Sequence, residues 1–131
     1  MLVQPDKILP SQNFLKPDTI YYIFMCIKKG EAEKLPPAPI VRKDKSGNLI
    51  AIDGHNLIAV RFSLGEDIEV HLATSADAGL PADSESNIER NKDLKEKFET
   101  VITDNKQLQE SGARTFGDLV ASYADLFQQA K

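Results

Sequence analysis

Asp53, Gly54, His55 and Asn56 stand together in the stretch "LIAIDGHNLIAVRFSLG", Leu49 to Gly65. An acid, a glycine, an imidazole and an amide in a row are groups that can hold a phosphate or move a proton. A short apolar, β-like run precedes them and a helix-like run follows, so the four occupy a strand-to-helix corner. A helix that begins there turns its first backbone N–H groups and the positive end of its dipole toward the corner, which suits an anion. Gly54 lets a phosphate come close to the backbone, His55 and Asn56 supply hydrogen bonds, and Asp53 holds a metal–phosphate or serves as a base. The same residues also read as ordinary capping by Asp53 or Asn56, with His55 satisfied locally.

Other chemistry-bearing residues are sparse. His71 alternates with Val70 in "DIEVHLA" and is expected to face solvent. Arg61 lies six residues beyond His55, off its helical face, and reads as a solvated or salt-bridged side chain. Tyr21, Tyr22 and Phe24 read as core rather than as a base-stacking platform. The balanced charges of "KDLKEK" read as a solvated helix face. Two histidines and one cysteine, without metal-ligand spacing, argue against a structural zinc site, and no metal site is expected. The sequence contains no P-loop, dinucleotide fingerprint or nucleophilic triad.

The chain that must position these groups has 131 residues, enough for one domain with a real core. Hydrophobic residues at 41% and charged residues at 27% are ordinary for a globular protein. A formal charge of −4 provides no global pull toward nucleic acid. One cysteine, Cys26, excludes an internal disulfide framework and fits a reducing cytosol. The beginning "MLVQPDKILP" has no secretory pattern, and the apolar run "TIYYIFMCI" is too short for a bilayer, so a cytoplasmic protein without membrane association is expected.

A short edge strand fits Lys7 to Leu9, between Pro5 and Pro10. Pro17 and Asp18 start a helix that Gly30 ends, with Ile20, Ile23, Phe24 and Ile27 at helical spacing. Tyr21, Tyr22, Met25 and Cys26 widen its apolar surface, so contact on more than one side is expected. "EAEKLPPAP" is an extended connector. Ile40 and Val41, the turn "DKSGN" and Leu49 to Ile52 form a hairpin, and Gly65 ends the helix after the corner. "DIEVHLA" reads as one half-buried strand, and the acidic "TSADAGLPADSESN" as a mobile loop. Leu94, Phe98, Val101, Ile102 and Leu108 share the face of a helix broken by "ESGAR". Thr115 then caps a last helix striped with Phe116, Leu119, Val120, Tyr123, Leu126 and Phe127. The expected fold class is α+β, a single domain over 1–131. It comprises a small mixed-sheet core over 1–75, an acidic loop over 76–87 and two C-terminal helices in an extension over 88–131.

"KILPSQNF", a helix, and "LPPAPIVRKDKSGNLIAIDGHNLIAVRFSLGEDIEVHLA" together resemble the ParB N-terminal and sulfiredoxin-like superfamily. The likeness spans Val3 to Ala73: a proline-flanked strand, a hairpin, an Asp-Gly-His-His-Arg type corner, an alanine-bearing helix ending in glycine, and a further strand. The resemblance implies that the corner binds nucleotide phosphates. Members include CTP-hydrolysing partition proteins, a free-serine kinase, a sulfinic-acid reductase and nuclease-like proteins. Asp53, Gly54, His55, Ala59 and Gly65 match the pattern, Asn56 replaces the second histidine and Leu57 stands in place of the arginine. His55 occupies the position of the reductase's cysteine, and "His-Asn-Leu" carries none of the charges of the partition proteins. Arg42, with Lys43 beside it, is the candidate to replace the lost arginine. Glu31, with Glu33, is the candidate for the kinase branch's carboxylate.

The resemblance therefore implies a nucleotide or phosphate site with weak or altered catalysis, taking a nucleotide with Mg²⁺. Its binding residues would be Asp53, Gly54, His55, Asn56 and Arg42, and its catalytic candidates Asp53, His55 and Glu31. The alternative is a non-catalytic interaction module that lost the site and uses its C-terminal helices to meet a partner or a second copy. DNA association or cleavage ranks third, since the charge is acidic and a basic reader helix is missing.

Overall fold

The structure is a computed structural model, described here for residues 1–75, 77–80, 83–101, 103, 105–110, 112 and 114–130. Its strands are β1 (Leu2–Val3), β2 (Ile8–Leu9), β3 (Ile40–Lys43), β4 (Leu49–Asp53), β5 (Ile68–Glu69) and β6 (His71–Leu72). Its helices are α1 (Pro17–Lys28), α2 (His55–Leu64), α3 (Glu85–Thr100), α4 (Asn105–Glu110), α5 (Phe116–Ser122) and α6 (Ala124–Ala130). The fold is α+β, as the sequence predicts.

Four strands form one mixed sheet in the order β2-β4-β3-β6. The β3–β4 hairpin is antiparallel, and β2 and β6 add to its two sides in parallel. The hairpin turn is closed by buried Asp44, whose Oδ1 accepts from the backbone N–H groups of Ser46 and Asn48, both at 2.8 Å. "DIEVHLA" is not one strand within one sheet. β5 pairs with β1, β6 pairs with β3, and the switch falls at Val70, whose amide donates to Met1 O at 2.8 Å. A segment in contact with two separate partners bends between them, and periodicity carries no trace of which partner takes which half.

The sheet is covered on both faces. Val41 and Ala51 point into the main core with α1, α2, α5 and α6, whereas Ile40 and Ile52 meet Leu94 and the half-buried Phe98 of α3. Between Ala51 and Asp53, β4 carries one more residue than its partner, since Val41 pairs with Ala51 and Ile40 with Asp53. Regular alternation would send Asp53 to the face of Leu49 and Ala51. The bulge puts it opposite Ile40, on the α3 side.

α2 is the central helix. Leu57, Ile58, Ala59 and Val60 are all buried, so it shows no single apolar stripe. α1 differs from expectation: Tyr21, Tyr22 and Met25 are exposed, and only the Ile20, Ile23, Phe24 and Cys26 face is buried. The tyrosines stay at the surface because their hydroxyls donate to Gln129 Oε1 and Lys34 O.

Among the described residues the C-terminal segment has four helices where two are expected. α3 ends at Thr100 before α4 begins, and Tyr123 separates α5 from α6. Thr115 does cap α5, in a reciprocal box with Asp118. The apolar stripe is spent inside the chain: Phe116, Leu119 and Phe127 are buried in the main core, and Phe127 meets Phe24 edge-on at 6.0 Å. Val120, Tyr123 and Leu126 are only partly buried, so the stripe is not the fully exposed surface that would have given the interaction-module reading further support. Ala78 and Gly79 of the acidic loop are buried, and Leu80 is held at both backbone groups by the amide of Asn91. Ala76, Pro81 and Ala82 of that loop, Ile102 of the expected helix face, and Ser111 and Ala113 of the expected break lie outside the described residues. Among the described residues no helix is long and apolar enough to cross a membrane.

Candidate functional site

Gly54 makes the corner. Its φ of +88° is the left-handed region, and a Cβ there would lie 2.7 Å from Pro39 Cβ and 2.9 Å from Pro39 Cα. Only glycine fits both the dihedral and the contact. α2 therefore starts abruptly at His55, and no side chain caps it. Gly54, His55 and Asn56, at its start, line a cavity of about 450 Å³.

Asp53, Gly54, His55 and Asn56 all line this cavity, so the four residues that the sequence singles out do converge. Asp53, His55 and Asn56 are each tied to a segment distant in the chain. His55 is buried at 4% exposure and accepts at Nε2 from the Ser11 amide, at 3.0 Å. Ser11 Oγ lies 3.3 Å from the same nitrogen but donates to Ala51 O at 2.6 Å. Burial lowers the imidazole to about 4; the Asp53 carboxylate opposes that shift and Lys97 adds to it. His55 is thus a neutral fastener between the residue 11 segment and α2, backed by the Phe116 ring at 5.7 Å. Its Nε2 is therefore taken up within the protein. Asn56 is likewise engaged, its Oδ1 accepting from Lys16 N at 2.9 Å.

Asp53 is turned by the β4 bulge toward α3. Its Oδ2 lies 2.7 Å from Arg90 and its Oδ1 3.9 Å from Lys97, which also meets Asp93 at 3.2 Å. The carboxylate is thus held between two cations of α3. Leu57, where the family pattern has arginine, is buried in the main core. Positive charge at the cavity comes instead from Lys16 and Lys97. These two, with Ser11, are the residues sequence reading missed. Arg90 and Lys97 are seven apart on α3 and flank its apolar Leu94–Phe98 face, a legible sign that they border the sheet. Lys97 belongs to "KDLKEK", so that stretch is not wholly a solvated face. Nothing local marks Lys16.

Arg42 and Glu31 are not among the residues lining this cavity. The Arg42 guanidinium lies 4.0 Å from the centre of the Phe98 ring and donates to Phe98 O, because β3 alternation places it on the α3 face. Glu31 follows α1 and pairs with Lys34 at 3.2 Å. Arg61 is bridged to Glu66 at 2.7 Å, as a salt-bridged side chain should be. His71 is partly covered, with its Nε2 3.5 Å from Asp77 Oδ2, rather than freely solvated. Among the described residues no three His, Cys, Asp or Glu side chains converge on a metal position.

Comparison with protein-family models, with curated proteins and with solved structures gives no match for this chain.

Proposed function

We propose that the chain is a divergent relative of the ParB N-terminal and sulfiredoxin-like superfamily, and that the Asp53–Asn56 corner binds a nucleotide or another phosphate-bearing molecule. One observation carries this reading: the uncapped start of α2 opens into a cavity flanked by Lys16 and Lys97. Oriented N–H groups, a helix dipole and two ammonium groups favour phosphate without the arginine of the family pattern. Backbone groups of His55 to Leu57 would take the oxygens, and the two lysines would balance the charge.

The role is binding, with no acid–base step assigned. His55 has its acceptor nitrogen occupied, and Asp53 is paired with two cations. Asp53 is the one carboxylate among the described lining residues, so the corner suits Mg²⁺ only as the nucleotide's own counter-ion, not as a resident metal. A reducing, nucleotide-rich cytosol is the matching compartment for a protein whose one cysteine is buried and free.

The test is calorimetric titration with inorganic phosphate, ADP, ATP and CTP, with and without Mg²⁺, on the wild type and Lys97→Ala. Binding that weakens about three- to tenfold in Lys97→Ala and falls with added salt supports the reading. No heat from any of them at millimolar concentration overturns it.

A further inference from the structure

Phe14 borders the same cavity and is 47% exposed, whereas its neighbour Leu15 is buried at 3%. Single exposed apolar residues are ordinary, so exposure alone says little. Phe14 differs in how it is held. The segment around it has no regular secondary structure, yet it is tied down on both sides. Ser11 is bound to His55 and Ala51, Lys16 N donates to Asn56 Oδ1, and Leu15 N donates to Tyr123 Oη at 3.2 Å. The Gln12 side-chain Nε2 donates to Phe14 O at 2.9 Å. Five hydrogen bonds thus fix a short loop whose central aromatic ring stays partly in water. The exposed tyrosines of α1 use their hydroxyls elsewhere in the protein, but a phenyl ring has no polar group to satisfy.

We infer that Phe14 is the specificity-determining residue of the corner, a fixed aromatic shelf on which the flat base of a nucleotide stacks while its phosphate meets the start of α2. The inference rests on the phosphate reading above and narrows its ligand class from any phosphate to a base-bearing one. A phenyl face gains nothing from inorganic phosphate or a bare sugar phosphate. It gains dispersion and desolvation from a purine or pyrimidine ring. Because the backbone that carries the ring is already fixed before binding, less ordering cost is left for the ligand to meet.

The experiment compares AMP and CMP with ribose 5-phosphate, which carries the same phosphate and sugar but no base. Each is titrated into the wild type, Phe14→Ala and Phe14→Tyr. The expected result is that wild type prefers the nucleotides by about tenfold or more, that Phe14→Ala loses this preference with ribose 5-phosphate unchanged, and that Phe14→Tyr keeps it. Equal affinity of the wild type for AMP, CMP and ribose 5-phosphate, or a nucleotide preference untouched in Phe14→Ala, overturns the role of Phe14 and leaves the phosphate corner standing. Failure of the wild type to bind all three overturns the corner reading and this inference with it.

Discussion

The backbone amide of Ser11 donates to Nε2 of His55 across 3.0 Å, joining two residues 44 positions apart. That bond requires the imidazole to be neutral at Nε2. It ties the loop after β2 to the first residue of α2, so one histidine fixes both the rim and the floor of the corner. The arrangement superficially resembles a serine–histidine pair, but the serine hydroxyl is turned to Ala51 O. A buried, neutral histidine in this position has consequences for stability.

Stability should therefore fall on acidification through this group. His55 titrates at about 4 in the folded chain, against 6.5 when exposed. The unfolded chain takes up the proton first, so this contribution is complete above about pH 6.5 and is lost as pH falls toward 4. The gap corresponds to about 3 kcal/mol at most. Urea unfolding at pH 7.5, 5.5 and 4.5 should show it. A His55→Gln variant, less stable at pH 7.5, should show a flatter pH dependence, and an equally steep one refutes the assignment.

Gly54→Ala should cost more than Gly47→Ala. Both glycines have nearly the same φ, +88° and +87°, but a Cβ at Gly47 meets nothing within 4 Å. The dihedral alone costs about 1–2 kcal/mol. At Gly54 the Pro39 contact adds to that and shifts the start of α2, so ligand binding should fall as well. Chemical denaturation of the two variants separates the dihedral from the contact.

Neutralising Asp53 should strengthen anion binding. Its carboxylate lies within 4 Å of Lys97 and competes with any phosphate for that ammonium. Asp53→Asn is expected to raise phosphate affinity by about threefold, most clearly at low salt. A loss of Mg²⁺-dependent binding in this variant would instead make Asp53 a ligand-holding group.

Phe127→Ala should destabilise the chain by about 3–5 kcal/mol, the range for truncating a buried aromatic. Phe127 is 3% exposed and packs on Phe24 of α1, so the last helix belongs to the main core. A change below 1 kcal/mol, read by thermal or urea unfolding, would mean that α6 is dispensable.

Much of this architecture is legible in the residues. The hairpin, the Pro17 start of α1, the Gly65 end of α2 and the Thr115 cap each follow from local chemistry: a fixed proline φ, a left-handed glycine, a hydroxyl within reach of an N–H two or three residues on. The corner is legible for the same reason, since glycine between a β-like and a helical run has few other uses. What each corner residue does is not legible. Ser11 on His55, Lys16 on Asn56, and Arg90 and Lys97 on Asp53 all join segments far apart in the chain, and no periodicity encodes them.

The sequence by itself thus determined an α+β chain with a glycine-made helix start near residue 54. Those features arise from dihedral limits and nearest-neighbour hydrogen bonds. Only the tertiary structure decided that Asp53 turns to α3, that Leu57 is core and that the corner's positive charge comes from Lys16 and Lys97. Strand register, one bulged residue and the packing of α3 across the sheet set those outcomes, and each depends on groups brought together by folding.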